Sequence, residues 1–320
     1  MKTLRLMFAA ALALAVAQSP HAQTSWPDKP VRFIVPLPPG GPSDIVLRAA
    51  IEKMQPVLKQ PLIIDNKPGA AGNLGAAEAA RAAPDGQTWL WTTDTLLTVN
   101  PHVYQKLAFK PEDLTPVMRA SAFSQTLVCN PGLGLKTVAD LVRLAKARTV
   151  SYASGGAGSP GHLTTELFKN AAGIDLTHVP YKGPAPAIQD VMGAQVDCGF
   201  LAGPTVLPHV RAGKLSALAV SGAVRSALLP EVPTVAESGY PAFEATFSLV
   251  LFAPKGTPRP IIDAMFRAFD TALKQPDVVE RLRQSDQAVA ATPPDDTAML
   301  LAADSKKWAA VVKRIGLQQD

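Results

Sequence analysis

Short apolar segments alternate with helix-like segments along most of this chain, and this alternation constrains the fold more than any other feature. Strands separated by helices are typical of parallel sheets covered by helices, so the pattern predicts an α/β protein. The predicted strands cover 31–37, 61–66, 87–93, 124–131, 149–154, 176–182, 195–201, 215–221 and 245–254. Helices are predicted from about Ile45 to Leu58, through Ala83, near 137–147, and from Pro160, Pro184, Pro204 and Arg259.

The strands fall into two runs, separated near residues 114–125, which predicts two lobes. The last strand, 245–254, and the helices after it have no obvious sheet partner in the second run. We therefore expect this segment to return to the first lobe. The chain would then cross between the lobes twice, and the two crossing strands would form a hinge.

The N-terminus has the pattern of a secretory signal peptide. Lys2 and Arg5 precede an apolar stretch from Leu6 to Val16, which is too short to span a bilayer. Cleavage is expected after Ala17 or after Ala22, and we take 1–22 as the signal. No later stretch approaches 18 uninterrupted apolar residues, so the mature chain is expected in the periplasm.

The charge and composition fit a soluble, ligand-binding protein better than a nucleic-acid-binding one. Hydrophobic residues make up 47% of the chain and charged residues 18%. Loss of the signal lowers the net charge from +5 to +3, and the basic residues are scattered. We therefore expect no nucleic-acid partner.

The cysteines and histidines give no metal-binding pattern. Cys129 and Cys198 form either one disulfide bond or two buried thiols, and their spacing does not decide between these alternatives. The five histidines are isolated, without a paired ligand at metal-binding spacing. We therefore predict no metal and no cofactor.

Three junctions share one design, in which a strand is followed by a glycine-rich bend and a helix start. They cover 38–44, 69–73 and 155–162. A helix N-terminus has unpaired N–H groups and a partial positive charge, and glycines let a ligand approach that backbone closely. Such bends often only turn the chain, but three of them at strand ends favour an anion-binding site.

The bend at 155–163, "GGAGSPGHL", also matches two catalytic or cofactor signatures. Gly156, Gly158 and Gly161 fit the dinucleotide pattern G-x-G-x-x-G, but the next strand ends in Tyr181-Lys182 where that pattern needs an acid. Ser159 resembles a hydrolase nucleophile, but the following Pro160 has no N–H for an oxyanion hole. We therefore expect no catalytic residue, with Ser159 as helix cap.

Several polar residues near these bends have two interpretations. Asp44 is either a cap or dipole partner of its helix or a receiver of a ligand's ammonium, hydroxyl or bridging water. His162 either points into the cleft or has a helix-surface or capping role. Thr93, Asp94 and Asn100 follow the third strand and are candidates for the cleft edge.

Motifs along nearly the whole mature chain resemble one family, the periplasmic solute-binding proteins of tripartite tricarboxylate transporters, or Bug family. The resemblance rests on "VRFIVPLPPGGPSDIVLR", "IIDNKPGAAGNLGAAEAARAAPDGQT", "YASGGAGSPGHLTTELFK", "VPYKGPAPAIQDVMGAQVDCGF" and "LPEVPTVAESGYPAFEA". It implies a Venus-flytrap fold, type II-like, with 23–124 plus 246–320 as lobe 1, 125–245 as lobe 2 and two hinge-crossing strands. Leu37 and Ala71 depart from the usual aromatic and glycine, which affects the shape of the pocket.

The same resemblance implies how the ligand is held. Backbone N–H groups of two turns in opposite lobes would bind a carboxylate when the cleft is shut. The implied ligand-binding residues are Pro39, Gly40, Gly41, Ser43, Asp44, Ala71, Gly72, Asn73, Thr93, Gly156, Ala157, Gly158, Ser159 and His162.

The function expected from the sequence is therefore capture of a small organic acid or amino acid, without catalysis. The expected partners are integral membrane transporter subunits, and we expect a monomer. Two alternatives remain open at this point: a sensor that presents the bound anion to a signalling receptor such as a sensor kinase, and an exported α/β hydrolase that uses Ser159.

Overall fold

The computed structural model describes residues 26–37 and 39–319. The expected signal peptide, 1–22, lies outside this part of the chain. Within the described residues, no helix combines the length and the apolar character that a membrane span requires.

The strands and helices follow the predicted alternation. The strands are β1 (Val31–Val35), β2 (Leu62–Asn66), β3 (Thr88–Thr93), β4 (Leu114–Cys129), β5 (Ser151–Ser154), β6 (Thr177–Pro180), β7 (Cys198–Ala202), β8 (Ser216–Val220), β9 (Thr246–Pro254) and β10 (Gln287–Thr292). The helices are α1 (Pro42–Leu58), α2 (Asn73–Ala80), α3 (Thr95–Thr98), α4 (Asn100–Val103), α5 (Val138–Ala147), α6 (Pro160–Ala172), α7 (Pro184–Met192), α8 (Gly203–Arg211), α9 (Arg259–Leu273), α10 (Pro276–Gln284) and α11 (Pro294–Ile315).

The strands form two sheets that share β4, and the fold therefore has two lobes. The first sheet has the order β2-β1-β3-β9-β4-β10, and the second has the order β8-β4-β7-β5-β6. β1, β2 and β3 are parallel, as are β5, β6 and β7, whereas β4, β8, β9 and β10 pair in the antiparallel sense. The two-lobe α/β architecture expected from the sequence is thus confirmed.

The long strand β4 changes its partners halfway along. Up to Ser124 it pairs with β9, and from Gln125 it pairs with β7. β9 inserts between β3 and β4, which confirms that this late segment returns to the first sheet. The chain therefore passes between the sheets at Ser124–Gln125 and again just before β9.

Two strand predictions were wrong in detail. β4 begins at Leu114 rather than at 124, and the strand β10 was not predicted. Pro116 and two irregularities in the pairing with β9 break the regular alternation of β4. β10 is short, rich in alanine and pairs only with β4, so its sequence has little strand character.

Each sheet has an aromatic core. In the first, Trp91 stacks on Phe269 with ring centroids 5.6 Å apart, and Phe33 meets Phe269 edge-on. α1 covers this sheet because Val46, Ala50 and Met54 lie on one helical face. In the second, buried Phe168, Phe200 and Phe243 pack edge-on or stacked, with about 6 Å between centroids.

The last helix, α11, packs against both lobes. Its residue Trp308 stacks on Phe247 with centroids 5.3 Å apart and belongs to the second core. Thr297, near the start of the same helix, accepts a hydrogen bond from the backbone N–H of Arg119 in the first sheet. α11 therefore lies along the boundary between the lobes.

Candidate functional site

A cavity of about 550 Å³ lies between the two lobes at the carboxyl ends of the parallel strands. Leu37 follows β1, Thr93 ends β3, Gly155 follows β5 and Ala202 ends β7. The remaining lining residues are Pro39, Gly40, Gly41, Pro42, Ser43, Phe123, Ser124, Gln125, Ser159, Pro160, Gly161, Pro184, Phe200, Leu201, Pro204, Leu249, Ser285, Asp286 and Gln287. This is the place where open α/β sheets bind ligands.

Four helices begin at this cavity, and each has a proline in its first turn. The prolines are Pro42 of α1, Pro160 of α6, Pro184 of α7 and Pro204 of α8. A proline there removes an N–H that has no partner within the helix and leaves the other free N–H groups of the turn in place. The positive ends of four helices thus surround one apolar-walled space, which favours an anion.

The glycine turn that precedes α1 is stabilised by the carboxylate of Asp44. Its carboxylate accepts the N–H of Gly40 at 3.1 Å and is bound by the guanidinium of Arg48, with a shortest N–O distance of 2.7 Å. Burial raises the pKa of Asp44, but these hydrogen bonds outweigh it and hold the pKa below its ordinary value. Asp44 is 3% exposed and is not among the residues that line the cavity; its carboxylate binds Gly40 and Arg48 instead.

Ser43 does line the cavity, and it is fixed by the first core. The indole N–H of Trp91 donates to both the carbonyl and the hydroxyl oxygen of Ser43, at 3.1 and 3.0 Å. The first turn of α1 is therefore anchored to β3, and its free N–H groups have a defined position.

The glycine turn at 155–162 is capped by Ser159, as expected. The Ser159 hydroxyl accepts the N–H of His162, and the N–H of Gly158 donates to Nδ1 of His162 at 3.0 Å. The His162 ring stacks on His178 with centroids 4.1 Å apart, and burial lowers the pKa of both, that of His178 to about 4. Both rings are therefore neutral at pH 7, as the acceptor role of Nδ1 requires.

His162 thus stabilises this glycine turn from the side away from the cavity. Together with Ala157 it lines a separate, more open pocket that also includes Glu166, Lys169 and Arg314. Gly156 and Gly158 adopt positive φ angles of 126° and 75° and shape the turn, but they do not line the cavity. Nδ1 of His162 accepts the N–H of Gly158 and is therefore not free to accept a proton from Ser159.

The glycine turn at 69–73 is stabilised by hydrogen bonds from Asn100. Asn100 donates one amide hydrogen to Asn73 Oδ1 at 2.7 Å and another to the Ala71 carbonyl at 3.1 Å. Ala71, Gly72 and Asn73 lie outside the set of residues that line the cavity.

One wall of the cavity was not predicted from the sequence. Phe123, Ser124 and Gln125 come from the middle of β4, and 285–287 come from the segment that enters β10. The first group lies where the chain crosses between lobes, a position that the two-run pattern could have indicated. The second depends on β10, for which the sequence carried no clear signal.

The lining is mostly apolar and almost without formal charge. Among the described lining residues, only Asp286 has an ionisable side chain. No group of three His, Cys, Asp or Glu suited to a metal ion occurs within residues 26–37 and 39–319. The chemistry available to a ligand is therefore that of backbone N–H groups, hydroxyls, the side-chain amides of Gln125 and Gln287, and one carboxylate.

Two solved structures share the fold along nearly the whole chain. MatC (Rpa3494) from Rhodopseudomonas palustris with bound malate is 31% identical, with a TM-score of 0.78 over 90% of this chain and 100% of that chain. Rpa4515 from R. palustris with adipate is 32% identical, with a TM-score of 0.81 over 91% of this chain and 98% of that chain.

The sequence gives the same relationship. Protein BugT of Bordetella pertussis is 36% identical over 309 residues, which cover 95% of this chain and 95% of BugT. The profile described as "Tripartite tricarboxylate transporter family receptor" matches residues 46–317. The resemblance found from the motifs is confirmed, and the chain belongs to the receptor family of tripartite tricarboxylate transporters.

Proposed function

We propose that this protein is a periplasmic solute-binding protein that captures a small carboxylate between its two lobes and delivers it to a tripartite tricarboxylate-type transporter. The observation that carries the proposal is the convergence of four helix N-termini on one cavity with almost no charged side chain. The bound malate and adipate of MatC and Rpa4515 support a carboxylate as the ligand class.

The proposed contacts divide into direct and supporting groups. Backbone N–H groups and hydroxyls of the lining residues would bind the carboxylate; these are Gly41, Ser43, Thr93 and Ser159, with Pro39 and Gly40 completing the wall. Asp44, Ala71, Gly72, Asn73, Gly156, Ala157, Gly158 and His162 would fix the turns without touching the ligand. A carboxylate leaving water needs several charge-assisted hydrogen bonds, and donors from both lobes are available together only when the cleft is shut.

We propose residues 23–124 with 246–320 as lobe 1 and 125–245 as lobe 2. The change of β4 partners between Ser124 and Gln125 supports this boundary, as does the start of β9 at Thr246. β4 and β9 would act as the hinge strands. α11 contacts both lobes, so its contacts with the second core would adjust when the cleft opens.

The cellular setting follows from the family and the N-terminus. We propose export by the signal at 1–22, binding without catalysis, and a monomer that meets the membrane subunits of the transporter in its closed state. Ligand binding would favour that closed state, which the membrane partner would recognise.

Carboxylates should stabilise the mature protein, and thermal unfolding with dicarboxylates, tricarboxylates, aromatic acids and acidic amino acids checks this. A ligand at about 100 times its dissociation constant should add about 2.7 kcal/mol to the free energy of unfolding. The corresponding primary amides serve as uncharged controls and should have no effect. Absence of stabilisation by every acid would count against capture. Ester hydrolysis abolished by Ser159→Ala would favour the hydrolase alternative.

Gly161→Ala should weaken carboxylate binding by at least tenfold. A methyl group on Gly161 would overlap the carbonyl oxygen of Phe200, so the start of α6 would be displaced from β7 and its N–H groups from the cavity. Isothermal titration with the best ligand of the screen measures the change.

Gly173→Ala is the matched control at the other end of α6. Gly173 has a φ of 60° and no atom within 4 Å of an added methyl group, so this change should cost about 1 kcal/mol of stability and leave affinity unchanged. Equal affinities for the two variants would contradict a role of the α6 N-terminus in binding.

A further inference from the structure

Asp286 occupies a special position in the cavity wall. It lies between α10 and β10, and its N–H donates to the Arg283 carbonyl at 3.0 Å to close a turn. Its φ of 49° is in the left-handed region, which aspartate tolerates better than most residues. The turn directs this side chain to the cavity, where it is the only ionisable group among the described lining residues.

The two carboxylate oxygens of Asp286 have different surroundings. Oδ1 accepts a hydrogen bond from the hydroxyl of Ser226. Oδ2 has no hydrogen-bond partner among the described residues and lies beside Gly203, the first residue of α8. A methyl group on Gly203 would overlap Oδ2, so the glycine leaves the space that this oxygen occupies.

The surroundings of Asp286 supply a hydrogen-bond donor to Oδ1 and none to Oδ2 among the described residues. Burial raises the pKa of Asp286, and the hydrogen bond from Ser226 opposes this rise. The N-terminus of α8 favours the ionised form as well. A partly buried carboxylate with a free acceptor oxygen is completed most favourably by a hydrogen-bond donor brought by the ligand.

The neighbouring wall restricts the rest of the ligand. Phe123, Phe200 and Leu249 are apolar surfaces suited to a hydrocarbon body. A second carboxylate placed near Asp286 would meet a like charge in a poorly hydrated space, which is unfavourable.

We propose that Asp286 determines specificity by accepting a hydrogen bond from a hydroxyl or ammonium group of the ligand, so that the cavity prefers a monocarboxylate with an apolar body and such a donor over a dicarboxylate. This inference rests on the proposed function, since it assumes that one carboxylate binds at the helix N-termini.

A ligand series of equal length tests the inference. Dissociation constants of 6-hydroxyhexanoate, 6-aminohexanoate, hexanoate and adipate are measured by isothermal titration, and the series is repeated with four- and five-carbon bodies. The wild type should bind a hydroxy or amino acid at least tenfold more tightly than the dicarboxylate, and the tighter of the two identifies the donor. In Asp286→Asn this ratio should fall at least tenfold, with dicarboxylate binding strengthened.

Controls separate specificity from lobe closure. Loss of the Asp286–Ser226 hydrogen bond would affect closure around every ligand alike, so the ratio between ligands isolates the effect on specificity. Asp296→Asn, the same chemical change at an exposed residue outside the cavity wall, should leave the ratio unchanged. Thermal unfolding without ligand verifies that each variant folds.

Two results would overturn the inference in distinguishable ways. Carboxylate binding with the same ratio in wild type and Asp286→Asn would refute the role of Asp286 and leave the proposed function standing. No binding of any series member to either protein, at any chain length, would overturn the inference; it would count against the proposed function only if the wider carboxylate screen also failed.

Discussion

Replacing Asp94 with asparagine should stabilise the protein at pH 8 and remove much of the loss of stability that the wild type shows as pH rises. Asp94 is 1% exposed, and within the described residues neither carboxylate oxygen has a hydrogen-bond partner. Burial raises its pKa to about 8, the nearby Asp304 adds to the rise, and Arg119 opposes it. Asparagine has the same shape without the charge.

The direction of the pH effect follows from proton uptake. Between the unfolded pKa near 4 and the folded pKa of about 8, the folded protein holds one proton more than the unfolded chain. The wild type should therefore lose about 1.4 kcal/mol per pH unit in this window relative to Asp94→Asn, or on the order of 3 kcal/mol from pH 5 to pH 8.

Urea unfolding of both proteins at several pH values measures this difference. His162 and His178 have lowered pKa values and cost stability as pH falls below about 6.5, but they are present in both proteins and cancel. Asp44→Asn is the control of opposite sign, because the pKa of Asp44 is lowered and this change should destabilise the protein at neutral pH. Parallel pH profiles for wild type and Asp94→Asn would refute the protonated state.

Removing the bridge between Cys129 and Cys198 should cost about 4 kcal/mol of unfolding free energy. The structure joins these residues by a disulfide across the paired strands β4 and β7, and they are 69 residues apart in sequence. The bond restricts the unfolded chain, and a loop of this length gives a large effect in the chain-entropy description. Urea unfolding of the double variant Cys129→Ala/Cys198→Ala measures it.

Reductant gives an independent control. Dithiothreitol should destabilise the wild type by a similar amount and leave the double variant unchanged. Detection of two free thiols in the denatured, unreduced protein would show that the bridge is absent and would restore the alternative of two buried thiols.

The sequence was sufficient for the architecture because each strand–helix unit carries its own signal. Val31–Val35 is a short run that is apolar except for Arg32, and Pro160 follows a capping serine, so both elements could be recognised locally. β10 could not, because Gln287–Thr292 owes its extended form to pairing with β4 and not to strand-forming residues. Tertiary pairing overrides weak local preference in such segments.

For the site, the sequence identified the turns better than the direction of their side chains. Glycine and proline spacing predicted that 38–44 and 155–162 would start helices, because backbone geometry follows from those residue types. Whether Asp44 and His162 face the cavity depends on partners elsewhere, Arg48 for the first and the Gly158 N–H with the His178 ring for the second. Asp286 depends on a turn that only the folded chain shows.

The insertion of β9 between β3 and β4 also sets an order of assembly as the chain leaves the ribosome. The first sheet lacks an internal strand until residues 246–254 have been synthesised. The sheet that contains β1 therefore cannot be completed before most of the chain has been made. The contiguous strands β4 to β8 are complete sooner. Until β9 has been synthesised, β3 remains an edge strand of an incomplete sheet.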